Sequence, residues 1–119
     1  MSHSTLQPRH TGMAIHELVI EAHDEGKRER RADVRYPFFR PVSLNVGGRR
    51  HAGFSREISA TGVGLLHNFP LPPGDFEVAI PSRRGHSVRV RTRLVWCRPC
   101  GEGWYISGGQ FVGITSVEA

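Results

Sequence analysis

The apolar positions fall into two regimes with different periods. In the first, Ile15, Leu18, Val19 and Ala22 recur at the i, i+3, i+4, i+7 spacing of a helical stripe, which predicts a short amphipathic helix from Gly12 to Glu25. A helix of that length is marginal alone in water, so its stripe must cover the rest of the fold or a partner. Met1 to His10 are polar and aperiodic and read as a disordered lead. From Asp24 to Arg31 no residue is apolar, Gly26 can end the helix, and the run reads as a mobile, solvated linker.

Alternation then replaces the helical period. Val42, Leu44 and Val46 alternate with polar positions up to Gly47-Gly48, and His51 to Ile58 reads as the return strand of a hairpin. Val63 to His67 is a short apolar run stopped by Pro70, Pro72 and Pro73, and Phe76, Val78 and Ile80 alternate up to Pro81 and an Arg83-Arg84-Gly85 turn. The longest predicted strand runs from Ser87 to Cys97, with Val88, Val90, Thr92, Leu94 and Trp96 on a core face and Arg89, Arg91 and Arg93 on a wet one. After a turn from Gly101 to Gly103, Trp104 to Ile114 supplies a last strand or pair, interrupted at Gly108-Gly109. Six antiparallel strands in this order close into a small barrel, which removes the edges an open sheet exposes. The expected class is all-β: a lead and short helix over 1–27, a six-stranded antiparallel β-barrel over 28–115 and a tail over 116–119.

Composition narrows the partners. At 119 residues the chain fits a single core. Of its 16 basic residues only Lys27 is a lysine. A guanidinium is planar, offers a rigid fork of donors and stacks on aromatic faces, so an arginine-rich surface suits phosphate and guanine; solubility alone is the plainer reading of the same surplus. No apolar run approaches the 18 or so residues a membrane span needs, and no basic-then-apolar leader opens the chain. The expected location is the cytoplasm, where Cys97 and Cys100 are thiols.

Two motifs carry candidate chemistry. Arg30-Arg31-Ala-Asp-Val-Arg35-Tyr-Pro stands directly before the first strand. An Arg-x-x-x-Arg pair is weak alone, since about two arise by chance at this arginine content, and Arg89 with Arg93 is a second match. That second pair lies mid-strand, where a solvated face explains it. Arg31 and Arg35 sit instead on a flexible segment that can close over a ligand. Arg56-Glu57-Ile-Ser59-Ala-Thr-Gly62 follows at a strand junction, and Gly108 to Phe111 places a Gly-x-x-Phe late in the chain.

An Arg-x-x-x-Arg loop, an Asp/Asn-x-Ser-x-x-Gly junction and a late Gly-x-x-Phe, in that order, resemble the PilZ family over roughly Arg28 to Ile114. The resemblance implies a PilZ-like barrel that binds the bacterial second messenger cyclic di-GMP and relays it by conformational change to a downstream protein not named by the sequence. It implies that Arg31 and Arg35 wrap the dinucleotide, that the Ser59 hydroxyl bonds it, and that Gly62 leaves room for its approach. Arg30, immediately before the pair, implies a stacked pair of ligands. Glu57 departs from the pattern, standing where the family has Asp or Asn, one methylene further out. From the residues alone, Ser59 and Gly62 also fit an ordinary turn.

Other chemistry finds no support. Trp96-Cys-Arg-Pro-Cys100 resembles the thioredoxin motif, but a hairpin turn follows it rather than a helix whose N-terminus would activate the thiol. The seven histidines show no ligand spacing, so neither a metal nor a resident cofactor is expected. No phosphate-binding loop or nucleophile elbow is present, and the expectation is a receptor, not an enzyme. Two alternatives stay open. One is a degenerate barrel that only docks proteins; the other is a basic barrel binding nucleic acid through Arg89, Arg91 and Arg93, against which the thin aromatic content counts.

Overall fold

The computed structural model describes residues 8–25 and 34–118, with side chains described for 14–23 and 34–117. Helix α1 spans Pro8–Glu25, and six strands follow: β1 Tyr36–Val46, β2 Arg49–Ile58, β3 Gly62–His67, β4 Asp75–Pro81, β5 Ser87–Gly101 and β6 Trp104–Glu118. Every pairing is antiparallel, and the order β1-β2-β3-β6-β5-β4 closes on itself through β1 and β4. The all-β, six-stranded, barrel-like ring with an N-terminal helix is thus the observed architecture. Within the ring, Leu44, Ile58, Leu65, Val78, Ile80, Val90 and Ile114 are fully buried. The β1-β2 turn works because Gly47 and Gly48 both take positive φ, 57° and 83°, as a two-residue hairpin of this hand requires.

Helix α1 touches β1, β2 and β6 and lies across one mouth of the ring. The expected stripe is the buried one: Ile15, Leu18 and Ala22 are covered and Val19 is half-buried against the same core. The helix starts earlier than Gly12 and takes in His10, which the sequence reading placed in the lead. Pro8 at its first position needs no backbone donor there, and its fixed φ suits a helix start. Periodicity missed Glu21, 3% exposed on the buried side of α1. Burial pushes its carboxyl up, but hydrogen bonds from Arg40, Ser82 and the Arg83 backbone, with the Arg40 charge, hold it below the usual carboxylate value. Arg40 Nη1 lies 2.7 Å from Oε1, Ser82 Oγ donates to Oε2 at 2.9 Å, and Arg40 also donates to the Pro81 carbonyl at 2.9 Å.

Register shifts in the β1-β2, β2-β3 and β5-β6 pairs mark bulges, and those in β2 and β5 reset which residues face inward. In β1 the register against β2 shifts between Pro37 and Arg40, but the alternation runs unbroken from Tyr36 to Leu44, which buries Phe38 and leaves Phe39 outside. Ser55 Oγ closes the gap, accepting from the Arg40 amide at 3.0 Å and donating to the Phe38 carbonyl. In β2 the shift between Ser55 and Glu57 turns Glu57 outward. In β5 the shift between Leu94 and Trp96 overturns the expected core position of Trp96. Leu94 and Cys97 pack against the core, while Trp96 pairs with Gly108 on the outer surface.

The last strand is also longer and simpler than expected. It runs unbroken through Gly108-Gly109 and past Ile114 to Glu118, so 116–118 of the expected tail pair with Ser87, Val88 and Arg89. The two glycines do not break the strand; they make room. A Cβ on Gly108 would strike the Trp96 indole, and one on Gly109 would strike the Thr92 methyl. Cys97 and Cys100 are free and both lie on β5. Three residues of extended strand separate their Cα atoms by about 10 Å, beyond the reach of a disulfide. No helix follows them, as expected.

Candidate functional site

The β2-β3 junction is built by Ser59. Its amide donates to the Gly62 carbonyl at 3.0 Å, and its hydroxyl accepts from the Thr61 and Gly62 amides, both at 3.2 Å. Two lone pairs are thereby occupied, and the one hydroxyl proton is what Ser59 can offer elsewhere; Thr61 Oγ1 lies 3.4 Å away. The turn reading of Ser59 therefore holds in this structure. Gly62 also has a packing reason: a Cβ there would collide with the Gly109 carbonyl of β6. The Phe111 amide donates to the Thr61 carbonyl at 2.8 Å, tying the late Gly-x-x-Phe segment to the same turn.

These elements frame an open cleft of about 220 Å³ on the outer wall of the ring. Arg35 and Glu57 stand at one side, Ser59, Thr61 and Gly62 at the turn, Gly64, Gly108 and Gly109 on the floor, and Val95, Trp96 and Gln110 opposite. The glycine floor follows from the register: Glu57, Gly64, Gly108 and Trp96 are successive cross-strand partners on β2, β3, β6 and β5. Glycine at both middle positions of this trough lets the walls lean in: the Glu57 side chain and the Arg56 guanidinium lie against Gly64, and the Trp96 indole lies against Gly108.

Arg35, immediately before β1, reaches the cleft through Glu57, with Nη1 3.1 Å from Oε2. Both side chains are partly exposed, so the pair contributes about 0–1 kcal/mol of stability. Its geometric effect matters more, because it holds a guanidinium at the rim. Across the trough the Arg98 guanidinium lies over the Trp96 ring, 4.7 Å from its centroid. Of the residues expected to form a site, Arg35, Glu57, Ser59 and Gly62 come together here; Arg30 and Arg31 lie outside the described residues. Sequence reading missed Trp96, Thr61, Val95 and Gln110. The glycine pair opposite Trp96 was the available signal, since glycine inside a strand marks close approach by another group.

Other clusters offer less. Among the described residues no group of metal-ligating side chains converges. His67 and Ser107 resemble a hydrolytic dyad: Nδ1 donates to the Phe69 carbonyl at 2.6 Å, which leaves Nε2 to accept from Ser107 Oγ at 2.8 Å. Both side chains are fully buried, so no substrate reaches them. Burial pushes the imidazole below its ordinary pKa, partly offset by the Phe69 carbonyl, and keeps it neutral. On the arginine face, Arg89 meets Glu77 at 3.2 Å and Arg93 meets Asp75 at 3.1 Å. Two carboxylates among three arginines weaken the phosphate-binding stripe that a nucleic-acid barrel needs.

The comparison with known families bears on this arrangement. A model of the PilZ domain matches residues 29–119, over three quarters of the chain. The chain belongs to the PilZ domain family. PilZ domains are cyclic di-GMP receptors and typically act without catalysis. The matched span of this PilZ chain contains every described residue of the cleft and leaves out α1. A search of the curated proteins finds no match. Among the described residues, no helix is long and apolar enough to cross a membrane.

Proposed function

We propose that this PilZ chain is a cytoplasmic receptor that binds cyclic di-GMP in the Arg35-Glu57-Ser59-Gly62-Trp96 cleft and signals to a protein partner. The observation that carries the reading is the convergence of residues from three separate sequence segments on one trough with a guanidinium rim, a hydroxyl turn and an indole wall. Each part has a use. Trp96 offers a π-face for a purine, where base stacking contributes about 1–3 kcal/mol. Arg35 can take the O6/N7 edge of guanine bidentately, a contact worth about 1–3 kcal/mol of discrimination. Giving up Glu57 costs at most about 1 kcal/mol, so the exchange favours the ligand.

Size decides what else is needed. A cleft of about 220 Å³ is below the roughly 300–1,000 Å³ of sites that bury a whole drug-sized ligand. It takes one base, and the remainder must be covered from above. Arg30 and Arg31 precede Arg35 on the chain and would supply that cover together with positive charge for the phosphates. Two stacked ligands bring four phosphates, which favours three guanidinium groups over two and a stoichiometry of two per chain. Closure of 28–35 over the ligand joins the cleft to α1 and is the proposed relay. Biasing a switch from 1:99 to 99:1 needs about 5.5 kcal/mol of differential binding, within the roughly 8 kcal/mol of a micromolar ligand.

Calorimetric titration of cyclic di-GMP into about 100 μM protein tests the reading, since even weak receptor sites register there. Saturation at two equivalents is expected. Saturation at one removes the stacked pair, and absence of heat removes the receptor reading in favour of a barrel that only docks proteins. Hydrogen exchange across 28–35 should slow on ligand addition; unchanged exchange removes the relay.

A further inference from the structure

The outer wall of the ring continues past the cleft into an exposed apolar surface that nucleotide binding does not use. Two residues further along the strands from the glycine trough, Phe54, Leu66, Ile106 and Arg98 form the next outward row of cross-strand partners. Phe39, on the outer face of β1 and 65% exposed, stacks on Phe54 with ring centroids 5.2 Å apart and planes 6° from parallel. Trp104, 36% exposed, lies 6.4 Å beyond Phe54. Three aromatic rings and two aliphatic side chains thus adjoin on one face. Isolated exposed apolar residues are normal, but a contiguous patch of this kind marks an interaction surface.

We infer that this face docks an acidic, amphipathic helix of a partner protein. The row lies on the face of a closed ring, where β2, β3 and β6 already pair with one another, so a partner docked there binds through side chains rather than by adding a strand. Two ring-to-ring steps of 5.2 and 6.4 Å suit the apolar stripe of a helix, which advances about 10.5 Å over seven residues. The charge of the partner follows from the border. Arg56 lies against Gly64 with Nε donating to the Leu65 carbonyl at 3.2 Å, and Arg98 ends the Phe54 row. Glu57 at that end is already paired with Arg35, and Glu102 stands in the hairpin turn beyond Trp104. A second copy docked by a two-fold axis would bring both copies' Arg56 and Arg98 to one interface, which disfavours self-association.

This surface gives the relay of the preceding section its partner, and it remains separable from ligand binding because Phe39, Phe54, Leu66 and Ile106 do not line the cleft. Arg98 joins the two, since it belongs to the apolar row and covers the Trp96 ring. A base stacking on Trp96 would reposition it.

The test is selection from a displayed library of random helical peptides on the immobilised full chain, with Phe39→Ser and Trp104→Ser chains in parallel. Both positions are exposed, and melting curves check that the variants fold. The expected result is enrichment of acidic sequences with an i, i+3/i+4, i+7 apolar stripe, bound at least tenfold more weakly by each variant while cyclic di-GMP titrations stay unchanged. Enrichment that ignores both substitutions, or that favours basic peptides, overturns the proposal. So does binding to anionic phospholipid vesicles, or a concentration-dependent dimer, that either substitution abolishes. Loss of cyclic di-GMP binding in the wild-type chain would overturn the receptor reading and leave the peptide result standing.

Discussion

Replacing Glu21 with Ala should destabilise the fold through the one buried charge on α1 among the described residues. Its carboxylate is paired at 2.7 Å with Arg40, and the two side chains are only 4% and 13% exposed, so solvent screening gives little relief. Removing one partner of a buried pair leaves the other charge uncompensated and costs about 3–5 kcal/mol. Against a total stability of about 5–15 kcal/mol this is a large share. In a chain of this size it lowers Tm by roughly 12–20 °C. Thermal and urea melts of Glu21→Ala measure the loss, and hydrogen exchange of α1 shows whether the helix or the whole ring opens. The paired change Glu21→Leu with Arg40→Met should recover part of it, because no uncompensated charge remains, while the Ser82 hydroxyl and the Arg83 amide still lose their acceptor. The same carboxyl has an acid signature. Its native pKa lies below the ordinary 4.5, so its contribution is present above that pH and is lost as the pH falls through the native value, a dependence the Ala variant should lack. A loss under 1 kcal/mol, or additivity of the two substitutions, would refute the reasoning.

Arg35→Ala should weaken cyclic di-GMP binding by about 2 kcal/mol, near thirtyfold, in a calorimetric titration. It should leave Tm almost unmoved, because only an exposed pair is lost. Glu57→Asp should tighten binding a few-fold in the same assay: the shorter side chain gives up its 3.1 Å hold on Arg35 and restores the family pattern, and unchanged affinity would mean that the extra methylene is harmless. Neutral, buried His67 should make stability full above its ordinary pKa of 6.5 and falling as the pH drops through that value toward the lower native one. Melts from pH 8 to 5 check this, and His67→Gln should flatten the slope.

Alternation read the ring well because one-sided burial writes a period of two directly into the sequence: Val88, Val90 and Thr92 face inward while Arg91 and Arg93 are exposed. It failed at Trp96, where a single bulged residue reverses the positions that follow it without leaving a mark in the alternation. The cost was the aromatic wall of the cleft. The glycines at 108 and 109 misled for a related reason. Glycine in a strand either ends it or admits a neighbour, and only the structure shows that the Trp96 indole and Thr92 methyl lie against them. Glu21 was illegible because periodicity counts apolar residues, whereas its burial depends on Arg40 and Ser82, 19 and 61 positions away. The motif residues 35, 57, 59 and 62 were legible as a set, since their spacing relative to the strand junction survives folding.

Whether cyclic di-GMP sits in the glycine-floored cleft can be read from amide and indole chemical shifts of the labelled full chain, followed by nuclear magnetic resonance during titration. Large shifts are expected at Ser59, Gly62, Gly108 to Gln110 and the Trp96 indole N–H, the groups that line or floor the cleft. Shifts confined to the Arg89, Arg91 and Arg93 face, or no shifts at millimolar ligand, would contradict binding in the cleft.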